Sequence, residues 1–87
     1  MSLYTGAAYA GQNNMTAQGC LHAVITYASP AAKAIALPIL RAYNQSTKNE
    51  ITKAQLVAAI DAAQTSIAGL EEQARAQLAW TFGILRA

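Results

Sequence analysis

The chain has 87 residues, of which 54% are apolar and only 11% are charged, with a net charge of +2. That length holds one small domain, and the charged fraction is under half of the roughly 25% usual in soluble domains. Low charge with high apolar content is the reverse of the disordered signature, and the lone Cys20 excludes an intrachain disulfide scaffold.

A domain this small buries only about 60% of the surface of its unfolded chain. So few charged side chains cannot coat the remainder, so a lone monomer is expected to show apolar patches of the kind that mark contact sites. The 21 alanines discount part of that stickiness, because Ala is small and suits helix surfaces. The eight Leu, seven Ile, four Tyr, Trp80 and Phe82 carry no such discount. The six basic residues, Lys33, Arg41, Lys48, Lys53, Arg75 and Arg86, are scattered. Nucleic acid is therefore not the expected partner, since neutralising phosphates needs several cations on one face.

Residues 1–14 read as an extended N-terminal arm. Gly6 and Gly11 interrupt a helix there, at about 1 kcal/mol each, and Asn13 and Asn14 favour turns. Tyr4 and Tyr9 give the arm two aromatic anchors for docking on a neighbour. The first 32 residues hold no Lys, Arg, Asp or Glu, so the basic region that opens a secretory signal is missing. Localisation is left open between the cytoplasm and an assembled particle.

Residues 15–87 read as a single helical domain. The first helix is expected over about Met15–Ala28, capped by Asn14 or Thr16, with Ala17, Leu21, Val24, Ile25 and Ala28 on one face. The β-branched and aromatic run Val24-Ile25-Thr26-Tyr27 makes a short strand the competing assignment. Ser29-Pro30 signals a second start, because Ser caps and Pro suits the first helical position. The second helix then runs to about Tyr43, with Pro38 expected to kink it. Asn44–Asn49 reads as a polar loop. A membrane span over Cys20–Leu40 is disfavoured, because Lys33 alone costs about 2.5–3.5 kcal/mol at mid-bilayer.

Thr52 with Gln55 fits a capping box ahead of an apolar run. Leu56, Ile60, Ala63, Ile67, Leu70 and Ala74 follow at spacings of four and three, then Leu78, Phe82 and Leu85. This ridge predicts one long C-terminal helix of about 33 residues, with a break at Gly69 as the alternative. Glu71 and Arg75 would form a favourable i,i+4 pair on it. Ala58, Ala62, Thr65, Ala68, Gly69 and Ala76 make a strip of small residues beside the ridge.

Little points to chemistry. Cys20 and His22 lie two apart, on different faces of a helix, and cannot converge on one atom. Cys20 reads as a small buried hydrophobe and His22 as exposed. Asp61 and Glu71 are about 15 Å apart along a helix, too far for an acid–base pair. No catalytic, cofactor-binding or metal-ligating residues are assigned, and the protein is not expected to be an enzyme. Trp80 and Phe82 point to different faces, one able to pack inside and the other outward.

The expected architecture is all-α: a small helical hairpin or three-helix arrangement with a long C-terminal helix and the N-terminal arm. The expected role is a homo-oligomeric structural or assembly subunit of filament or virus-particle type, built by helix packing. Its interface would use Tyr4, Tyr9, Leu56, Ile60, Ile67, Leu70, Leu78, Trp80 and Phe82. The alternative is a small helical regulator or inhibitor that binds another protein through an exposed Leu/Ile/Trp face. Membrane contact ranks below both.

Overall fold

The computed structural model describes residues 16–87. They form four helices, α1 (Ala17–Tyr27), α2 (Pro30–Thr47), α3 (Lys53–Gln64) and α4 (Glu72–Arg86), with a 3₁₀ turn at Ile67–Gly69 between the last two. The predicted arm, with Tyr4 and Tyr9, lies outside the described residues.

Three helix starts follow the capping chemistry read from the sequence. The Thr16 hydroxyl accepts from the Gly19 N–H at the head of α1. Ser29 accepts from the Ala32 N–H, with Pro30 in the first turn of α2. Thr52 and Gln55 satisfy each other's backbone N–H groups, at 3.1 and 2.8 Å, and open α3. The strand alternative at residues 24–27 fails because those residues complete α1, and the Thr26 hydroxyl donates to the His22 carbonyl one turn back.

α2 is longer than its apolar pattern implies. Asn44–Thr47 contain no Gly or Pro and simply continue the helix. The stop comes at Asn49, which takes a left-handed φ of 60°. The N–H groups of Asn49 and Glu50 then bond the carbonyls of Ser46 and Gln45, a Schellman termination. α2 also runs through Pro38 as one element.

The single long C-terminal helix is not what forms. The ridge splits at Thr65–Glu71 into α3 and α4, which fold back on each other and give four helices. Length supplies the reason. A helix of about 33 residues would be about 50 Å long, whereas the 18 residues of α2 span about 27 Å. Half the ridge would stay bare in water, and breaking it lets both halves face α1 and α2. The break also removes the predicted Glu71–Arg75 pair. Glu71 becomes the residue before α4 and accepts from the Ser29 hydroxyl at 3.4 Å. Among the described residues the ion pair is instead Asp61–Arg86, at 2.7 Å.

The helices close a ring in chain order: α1 packs on α2 and α4, and α3 packs on α2 and α4. Neighbours are antiparallel. Gln18 at the head of α1 reaches Asn44 near the end of α2. Lys53 at the head of α3 donates to the Ala87 carbonyl after α4. Leu21, Val24, Ile39, Leu56, Ile60, Leu78 and Phe82 fill the interior.

Candidate functional site

Two of the four edges of this ring stand out. The first lies between α1 and α4. Cys20 on α1 is fully buried beside Gln77 and Thr81 of α4, while Ser29 meets Glu71 at the far end. These contacts fix the antiparallel register and place the head of α1 near Ile84.

Tyr27 stands two turns after Cys20 on the same line of α1. Trp80 and Ile84 follow Gln77 at i+3 and i+7, on the shoulder of α4 that faces α1. Among the described residues these three are the large apolar side chains left most open, with relative exposures of 55%, 40% and 45%. Trp80 and Ile84 sit in an uncharged stretch, whereas the Tyr27 end of α1 lies toward Glu71. α1 has no Asp, Glu, Lys or Arg, and neither does Ala76–Leu85 of α4. Gly83, between Trp80 and Ile84, has open space where a side chain would stand.

Burial pushes the Cys20 thiol above its ordinary pKa, and the Gln77 amide and Thr81 hydroxyl beside it pull the other way. The Thr81 hydroxyl donates to the Gln77 carbonyl at 2.8 Å, and the Gln77 amide nitrogen is buried without a well-formed hydrogen bond. A thiol held protonated in this way is a poor nucleophile. The unfolded chain sheds the same proton near the ordinary value of about 8.5. The native state then binds more protons than the unfolded one, so stability is fully kept below that pH and falls as pH rises above it. A Cys20→Ala variant is expected to lose less stability between about pH 8 and pH 10 than the wild type. Parallel urea curves for the two proteins would refute this.

The structure places the ridge residues in the chain's own core. Leu56, Ile60, Ile67, Leu70, Leu78 and Phe82 are each at most 7% exposed and are spent on the chain's own core. They are buried because the break after α3 turns the two halves of the ridge inward. Of the predicted interface set, Trp80 alone is seen at the surface, and Tyr4 and Tyr9 lie outside the described residues. Tyr27 and Ile84 are also exposed, outside the set expected from the sequence. Ile84 could have been found as the i+4 neighbour of Trp80, but Tyr27 needed the α1–α4 pairing.

The opposite edge, between α2 and α3, carries a shallow groove of about 280 Å³. It is lined by residues such as Ile35 and Pro38 from α2 and Ala59, Ala62 and Ser66 from α3 and the turn after it. Among the described residues no three His, Cys, Asp or Glu side chains converge to hold a metal ion. No helix there is long and apolar enough to cross a membrane. Comparisons with protein-family models, with curated proteins and with solved structures returned no match.

Proposed function

We propose that the protein is a non-enzymatic assembly subunit, of filament or virus-particle type, that associates with copies of itself through the α1/α4 edge. The observation that carries this is the exposure, among the described residues, of three large apolar side chains, Trp80 and Ile84 on α4 and Tyr27 toward the tail of α1. Trp and Tyr dominate interface energies when desolvated.

The magnitudes set the expected strength. Covering the open part of each side chain is worth roughly 2 kcal/mol. Three of them reach about 6 kcal/mol, near the low end of the 4–15 kcal/mol that association costs. The contact is therefore weak and concentration-dependent unless further surface joins it.

Sedimentation velocity from about 1 μM to about 1 mM spans the relevant dissociation constants. The wild type is expected to grow in size across this range, and Trp80→Ser to remain near 9.1 kDa. A wild type that stays monomeric throughout overturns the assembly reading. It would then favour a small regulator whose Trp80 face awaits a different protein.

A further inference from the structure

We infer that α1 opens as a unit: it swings away from α2 and α4 on the Ala28-Ser29 linker while the rest of the described chain remains folded, and so bares Leu21 and Val24. This does not rest on the assembly reading.

The ties that hold α1 are the first support. The helix carries no Asp, Glu, Lys or Arg. Gln18 meets Asn44 at 3.3 Å, and Ser29 in the linker meets Glu71 at 3.4 Å, both longer than the usual range of a hydrogen bond. α3 and α4 are clasped differently. Arg86 meets Asp61 at 2.7 Å, and Lys53 donates to the Ala87 carbonyl at 2.6 Å. These are charge-assisted bonds of the shorter kind. Exposure makes each of them modest, yet α1 has no side chain able to match them.

The seam under α1 is the second support. Among the described residues the buried polar side chains are Gln77 and Thr81. Both stand beside Cys20, where α4 packs on α1. The Gln77 amide nitrogen is buried there without a well-formed hydrogen bond. A buried donor left in that state costs the closed form stability, and water satisfies it once α1 leaves.

The linker permits the motion. Ala28 and Ser29 are both extended. Pro30 keeps the residue before it out of the helical region, so α1 and α2 stay separate bodies joined at one point. α1 has 11 residues, short enough to melt when unsupported, which returns chain entropy to the open state.

Cys20 is the chain's one cysteine and reports the opening. Its labelling by an aryl disulfide is followed in buffer and across a urea series, at fixed pH and low protein concentration. Opening of α1 alone is expected to give a urea slope under about half that of global unfolding, because less surface is exposed. Ile67→Val weakens the core at the turn that packs on α3 and α4. It is expected to raise the global unfolding constant about two- to tenfold and to leave Cys20 labelling in buffer unchanged. Gln77→Met replaces the amide by an apolar chain of similar shape and is expected to slow labelling about tenfold.

Labelling with the full urea slope of global unfolding overturns the inference. So does Ile67→Val labelling that rises in step with its loss of stability. A Gln77→Met chain that labels as fast as the wild type overturns it as well.

Discussion

Replacing Ile60 by Asp is expected to abolish the cooperative thermal transition. Ile60 is fully buried in the middle of α3, where Leu21, Leu56 and Leu78 belong to the same core. Truncating such a side chain costs about 2–5 kcal/mol. An unpaired carboxylate in its place adds a desolvation penalty of several kcal/mol more. Stabilities run at about 0.05–0.15 kcal/mol per residue, which gives a domain of this size roughly 4–11 kcal/mol in total. The penalty is therefore comparable to what holds the fold together. Had the ridge been an interface between subunits, the same change would only dissociate them and leave folded monomers. Far-UV circular dichroism during heating separates the outcomes. A cooperative melt close to that of the wild type would show that Ile60 does not belong to the core.

Phe82→Ala is the second large effect. Phe82 is fully buried, whereas Trp80, two residues earlier on α4, is 40% exposed. The aromatic-to-Ala change in a core costs about 3–5 kcal/mol. In a domain of 60–100 residues each kcal/mol lowers Tm by about 4–8 °C, so Phe82→Ala should fall by more than about 12 °C. Trp80→Ala removes a side chain that water already reaches and should move Tm far less. Calorimetry on the pair, at equal low concentration, makes the comparison. A Trp80→Ala loss as large as that of Phe82→Ala would place the indole in the core and remove the basis for the α1/α4 contact.

The described residues enclose a complete interior. The aliphatic ridge is hidden within the chain. Among the described residues, what stays open is smaller: the side chains of Tyr27, Trp80 and Ile84, and a shallow recess between α2 and α3. Self-association, in this view, finishes the surface and does not build the core.

Much of the local structure was legible in the residues themselves. Thr16, Ser29-Pro30 and Thr52–Gln55 mark helix starts because a hydroxyl must satisfy N–H groups that have no partner within the first turn. The ridge spacing identified which side chains seek burial, and Cys20 was rightly read as a buried hydrophobe. Tertiary structure alone decided what those side chains are buried against. Periodicity is blind to whether a ridge faces another molecule or folds back on its own chain, because the pattern is the same in both cases. The break at Thr65–Glu71 settled that, and its cause is global: only a folded ridge can be covered by helices as short as α1 and α2. The same is true of Trp80 and Phe82. Their spacing put the two rings on different faces, but which ring was buried depended on where α1 and α3 pack against α4.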